Sequence, residues 1–139
     1  MKGIADSSGF QSGFSLIELV VVIGLIGILA SIAYPQYSEY LTEARRNDAT
    51  STLMEIMQDE ERFYTENNSY AADLSNLPKY DSSPVVTPKG YYKVSAAACS
   101  GATINECVLL SASPQGTQGG DGVITFNSKG VKTPQSHWE

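Results

Sequence analysis

The chain has 139 residues, 42% of them hydrophobic, and a formal net charge of −6. That length allows one modest domain and one additional segment. The negative charge argues against nonspecific nucleic-acid binding. The single histidine, His137, has no partners for a catalytic triad or a zinc site, so no enzyme activity, cofactor or metal is predicted.

The first predicted element is an apolar run from Phe14 to Tyr34, FSLIELVVVIGLIGILASIAY, whose one charge is Glu18. As a helix it is about 30 Å long, enough to cross the hydrocarbon of a bilayer. A lone carboxylate in such a span costs about 2.5–3.5 kcal/mol near the helix centre, and less near its end. Cleavage of the chain after Gly13 would supply a matching cation, the new α-amine of Phe14.

The order of Gly13, Phe14, Glu18, the apolar run and Pro35 resembles the N-terminal region of type IV pilins and related pseudopilins. The resemblance extends over about residues 9–64. It implies that a prepilin peptidase cuts between Gly13 and Phe14 and that the new amine is N-methylated. It also implies that Glu18 pairs with the Phe14 amine of a neighbouring pilin subunit during assembly.

The same resemblance implies a division of the chain. Residues 1–13 are expected to be a cleaved leader, and they lack the long apolar region of an ordinary secretory signal. Residues 14–35 are expected to span the inner membrane and later to form the filament core. Residues 36–139 form a head that is periplasmic before assembly and lies on the cell-surface pilus afterwards.

Pro35 closes the apolar run. Proline removes the amide that would bond to the carbonyl of Ser31, so a helix kink is predicted at this position. In pilins the stretch from about Gly27 to Pro35 unwinds on entering the filament, and the resemblance implies the same here. Two helices that meet at a simple kink are the alternative.

Residues 36–67 continue the helix with one apolar face, which predicts that the rest of the head covers it. The segment from Glu39 to Asp73 holds nine acids and three arginines. Asp59, Glu60 and Glu61 are predicted to be solvated, with contact to a neighbouring subunit as the alternative. The apolar face comprises Tyr37, Tyr40, Leu41, Ala44, Ala49, Leu53, Ile56, Met57, Phe63 and Tyr64.

Asn67 and Asn68 are predicted to end the helix. Residues 68–90 form a connector with a short helical turn, packed through Tyr70, Leu74 and Leu77. Alternating patterns then predict antiparallel strands over 91–96, 107–112, 122–126 and 131–133. The predicted fold is therefore α+β, the type IV pilin fold, with a long helix packed on a small sheet of three to four strands.

Cys99 and Cys107 are predicted to form a disulfide if the head lies outside the cytoplasm, with two free thiols as the alternative. The closed loop would contribute about 2–3 kcal/mol. The glycine-rich stretch 116–122 lacks the Lys-Ser/Thr pair of a phosphate loop and is predicted to be a flexible surface turn. Asp121 and Glu106 leave open a calcium site.

Residues 91–139 resemble the PilE-type minor pilins in the Tyr-rich first strand and in the ITFNSKG turn. The predicted function is a structural subunit of a type IV pilus, most like these minor pilins, with roles in twitching motility, adhesion and possible DNA uptake. The alternatives are a type II secretion pseudopilin and a pilus-borne receptor for DNA or surfaces. Such a receptor needs a basic patch, for which the candidates are Lys79, Lys89, Lys93, Lys129 and Lys132.

Overall fold

The computed structural model describes residues 13–138. The leader predicted for residues 1–13 lies outside the described residues except for Gly13. The chain divides into two compact units, the first ending at Ser38 and the second beginning at Glu39.

One long helix, α1, runs from Leu16 to Asn67 and includes 52 residues. Both ends lie within two residues of the predicted bounds, and helical residues continue through Pro35. The helix stops at the predicted asparagines. Asn68 has a φ of 53°, and its N–H donates to the carbonyl of Tyr64 over 2.8 Å. Asparagine adopts this left-handed conformation more readily than most residues, so it suits a helix end.

Five antiparallel strands follow and pair in chain order. They are β1 (Val85–Val86), β2 (Tyr92–Ala98), β3 (Val108–Pro114), β4 (Ile124–Asn127) and β5 (Lys132–Thr133). The sequence predicted the last four. It missed β1, a two-residue strand between Pro84 and Pro88, because proline and short length both argue against a strand. The edge strands β1 and β5 are both very short, which limits pairing with other chains.

The core of the head lies between the sheet and the C-terminal half of α1. Val94 pairs with Ala112, and Ala112 pairs with Ile124, so one row of buried side chains crosses three strands. These residues form a single cluster with helix residues such as Leu53 and Ile56. Tyr37 and Tyr40, which were predicted on the same face, are 63% and 66% exposed, because the helix residues of this cluster begin only at Ala49.

The connector packs as predicted. A short 3-10 helix spans Leu74–Asn76, and Tyr70, Leu74 and Leu77 all join the buried cluster. Cys99 and Cys107 are disulfide-bonded with their Cα atoms 5.4 Å apart, so the prediction is confirmed and the free-thiol alternative is wrong. The bridge closes the hairpin between β2 and β3.

Three consecutive acids of α1 hold the connector, and the prediction that all three are solvated is wrong for Glu60, whereas Asp59 is half-buried and Glu61 is exposed. The hydroxyl of Tyr80 donates to Asp59 over 3.0 Å, and the hydroxyl of Tyr70 donates to Glu61 over 3.1 Å. Glu60 is completely buried, and its Oε2 accepts the N–H of Ala71 over 2.8 Å. Its Oε1 has no partner among the described residues. Burial raises the pKa of Glu60 to about 7, against the opposing effect of the Ala71 hydrogen bond and with a smaller contribution from the Glu61 charge.

Candidate functional site

The N-terminal segment places the predicted processing residues together. Gly13 and Phe14 precede the helix, and Phe14 is 90% exposed. The carbonyl of Ser15 accepts the N–H groups of Glu18 and Leu19 over 3.1 and 3.2 Å, so α1 starts two residues after Phe14, at Leu16. Glu18 therefore lies in the first turn, where the helix dipole favours a negative charge.

The first half of α1 is apolar around its whole circumference and is uncovered. Its large apolar side chains between Leu16 and Ile32 are 47–80% exposed. Among the described residues, α1 is the one helix long and apolar enough to cross a membrane. An apolar surface this extensive needs lipid or other protein to cover it.

Within the head, Asp121 is the centre of a polar network. Its two carboxylate oxygens accept the Nε of Arg46 over 2.9 and 2.8 Å, and Arg46 Nη2 forms a further bond to Oδ1. Oδ2 also accepts the hydroxyl of Tyr92 over 2.6 Å and Nε2 of Gln118 over 3.0 Å.

The hydrogen bonds from Arg46 hold the pKa of Asp121 well below its ordinary value. Burial, followed by the bond to Asp121, raises the pKa of Tyr92 to about 12. Asp121 thus serves as the anion for Arg46. The second acid of the calcium hypothesis, Glu106, instead accepts the N–H and hydroxyl of Thr103. The two acids are therefore not brought together around an ion.

A cationic surface surrounds the start of β2. The Arg45 guanidinium carbon lies 4.1 Å from the centre of the Tyr91 ring, a cation–π arrangement. The ammonium of Lys89 donates to the carbonyl of Ala44 over 3.0 Å, next to Arg45 in the chain. Lys93 is exposed on β2. We call Arg45, Lys89, Tyr91 and Lys93 the Tyr91 surface.

The other lysines do not extend this surface. Lys79 forms an ion pair with Glu55 on α1. Lys132 lies over the Trp138 ring, 4.7 Å from its centre. Lys129 lowers the pKa of Glu106 through its charge, a weaker effect there than the bonds from Thr103. The five lysines that were candidates for a basic patch are therefore divided, and only Lys89 and Lys93 lie within two residues of Tyr91, the residue that Arg45 contacts.

Comparisons with known proteins agree with this architecture. A family model described as "Type IV minor pilin ComP, DNA uptake sequence receptor" matches residues 35–125, more than half of the chain. This chain belongs to that type IV minor pilin family. A second model, the prokaryotic N-terminal methylation motif, matches residues 9–34 of the pilin.

Curated relatives match part of this pilin. The type IV major pilin protein PilA of Myxococcus xanthus is 34% identical over 86 residues, which are 62% of this chain and 38% of that protein. A fimbrial protein of Moraxella nonliquefaciens is 54% identical over 39 residues, 28% of this chain and 25% of that protein. The match therefore spans well under half the length of these relatives.

The fold is shared with a solved structure of a type IV pilin from Shewanella oneidensis. That structure has a TM-score of 0.51 and 28% sequence identity, and the match covers 67% of this chain and 91% of that one. The predicted α+β pilin fold is confirmed.

Proposed function

We propose that this pilin is cut after Gly13 by a prepilin peptidase, N-methylated on Phe14 and assembled with other pilin subunits into a type IV pilus. The inner membrane holds residues 14–35 before assembly, with the head in the periplasm. The observation that carries this proposal is that the apolar half of α1 is exposed in a chain whose head has its own buried core.

Assembly moves the apolar helix from lipid to a bundle of similar helices. Because both surroundings are apolar, the hydrophobic effect distinguishes them poorly, and packing and polar pairs decide the register. Glu18 in the first turn is the one charge of this segment. Its pairing with the Phe14 amine of a neighbouring subunit removes the cost of an unpaired carboxylate among apolar helices.

Substitution of Glu18 tests this mechanism. Glu18→Ala should be processed and inserted in the membrane, but it should be absent from fibres sheared from the cell surface. Glu39→Ala is the matched control, since Glu39 is also an exposed acid of α1 but lies outside the apolar segment. Incorporation of the Glu18 variant at the level of the control would refute the pairing.

The cut site has its own test. Gly13→Leu should leave the leader attached and give a longer product on a denaturing gel. A product of mature size from this variant would show that the peptidase cuts elsewhere.

Deletion of the gene distinguishes a pilus subunit from a pseudopilin of type II secretion. If the protein is such a pseudopilin, cells without it should lose exoprotein secretion but keep surface fibres and twitching.

The Tyr91 surface favours a second function, binding of DNA, and the matched family, which is described as a DNA uptake sequence receptor, supports it. Arg45 lies over the Tyr91 ring, and Lys89 and Lys93 lie two residues before and after Tyr91 in the chain. Cations beside an aromatic ring can bind phosphates while the ring stacks on bases. Asp48 is an acid that bonds directly to this surface, because its carboxylate accepts the backbone N–H of Lys89.

The test is binding of a fluorescent DNA duplex to the full-length protein in nonionic detergent over a range of salt concentrations. Lys93→Ala should weaken binding. It should also lower by about one the number of counterions released, which is obtained from the slope of the logarithm of the binding constant against the logarithm of the salt concentration. Lys79→Ala, which removes a lysine paired with Glu55, is the control and should behave like wild type. A wild-type protein without salt-dependent binding would refute this function and leave the pilus proposal intact.

A further inference from the structure

Gln118 is a buried glutamine in a glycine-rich loop. Its exposed fraction is 3%, and it belongs to a short 3-10 helix, Gly116–Gln118, between β3 and β4. The sequence predicted a flexible surface turn here, which is wrong for this residue. A buried amide needs partners for both of its ends, so its contacts define one orientation.

Acceptors surround the amino end of this amide. Nε2 donates to Oδ2 of Asp121 over 3.0 Å, to the hydroxyl oxygen of Tyr92 over 3.3 Å, and lies 3.5 Å from the carbonyl of Thr42. Arg46 holds the Asp121 carboxylate in turn. A flipped amide would place its oxygen against the Asp121 carboxylate and the Thr42 carbonyl, which is repulsive.

The other end of the amide therefore faces Arg45. Oε1 of Gln118 accepts Nη1 of Arg45 over 3.3 Å, and the hydroxyl of Thr117 lies 3.4 Å from the same nitrogen. Tyr91 supports the flat side of the guanidinium. Among the described residues, Nε and Nη2 of Arg45 have no acceptor, so one edge of the guanidinium remains available for an anion.

We propose that Gln118 is a positioning residue for DNA binding, holding the Arg45 guanidinium against Tyr91 so that its unpaired edge meets a backbone phosphate. This inference rests on the DNA-binding function proposed above. Gln118 itself is buried and does not touch the phosphate. It restricts the rotamers of the Arg45 side chain before DNA binds.

A double-mutant cycle tests the coupling. Binding of a random-sequence DNA duplex is measured for the full-length wild type, Gln118→Met, Arg45→Met and the double variant, in nonionic detergent at several salt concentrations. Gln118→Met should weaken binding about three- to tenfold, the cost of releasing one side chain. The number of counterions that this variant releases on binding should stay near that of wild type, whereas Arg45→Met should lower that number by about one.

In the Arg45→Met background, Gln118→Met should have no further effect. Gln115→Met is the control, because it makes the same substitution three residues earlier in the loop, at a side chain without a cap hydrogen bond. Equal weakening in both backgrounds would show that Gln118 only stabilises the head and would overturn the proposal. Wild-type affinity of Gln118→Met would overturn it too, while DNA binding itself would stand. Absence of DNA binding by the wild type would refute both.

Discussion

Glu60 gives the head a stability that depends on pH, and Glu60→Gln should remove that dependence. The ordinary carboxyl pKa of 4.5 rises to about 7 in the folded head, because the side chain is buried and one oxygen has no partner in the described residues. The folded state thus keeps its proton to a higher pH than the unfolded state. The contribution of this group to the free energy of unfolding is therefore complete below pH 4.5 and is lost as the pH rises to about 7.

The size of the effect follows from the two pKa values. Each pH unit between them lowers the free energy of unfolding by about 1.4 kcal/mol, and the whole interval amounts to about 3 kcal/mol. Glutamine stays neutral at every pH and keeps an acceptor for the N–H of Ala71. Relative to wild type, Glu60→Gln should therefore gain about 2–3 kcal/mol when the pH is raised from about 5 to about 8.

The assay is denaturant unfolding of the full-length protein in detergent at both pH values. The fluorescence of Trp138, which packs on Phe126 in the head, reports the transition. Glu66→Gln is the matched control, since it makes the same change on an exposed residue of the same helix. If the Glu60 and Glu66 variants show the same pH dependence as wild type, the carboxyl of Glu60 is not buried as described.

The same unfolding assay tests two further features of the head. Leu53→Ala should lower the free energy of unfolding by about 2–5 kcal/mol, because Leu53 is fully buried, whereas Met54→Ala, at a residue 41% exposed, should change it by less than about 1 kcal/mol. Similar losses for the two variants would contradict the described face of α1. Replacing both Cys99 and Cys107 by serine should cost about 2–3 kcal/mol through the freed loop, and unchanged stability would show that the bridge does not constrain the unfolded head.

The main elements could be predicted because their signals are local. The apolar run and the three- to four-residue spacing predict α1, and Asn67 with Asn68 predicts its end. Alternation predicts β2 to β5, and the position of the two cysteines at the ends of neighbouring strands agrees with the disulfide. β1 carries no such signal, since its two residues are too few to show alternation and are defined only by their pairing with β2.

Helical spacing in the sequence indicates that Glu60 is buried, although its charge is typical of a solvated residue. It lies four residues after Ile56 and seven after Leu53, so helical spacing puts it on the buried face. Asp59 and Glu61 are also acids, but their carboxylates accept hydrogen bonds from tyrosine hydroxyls of the connector. Charge alone could not distinguish these three neighbours, whereas spacing could.

The Tyr91 surface could not be predicted from one sequence. Arg45 and Tyr91 are 46 positions apart in the chain and meet only when the sheet packs on α1. Gln118 lies among glycines, a context that indicates a loop and gives no sign of burial. The polar network around Asp121 therefore emerged only from the structure.

Mass spectrometry of fibres sheared from the cell surface tests the central claim most directly. This pilin should be present in the fibres, and its N-terminal peptide should begin at Phe14 with a single N-methyl group. Recovery of the chain with Met1 still attached, or its absence from fibres of cells that express it, would contradict processing and assembly.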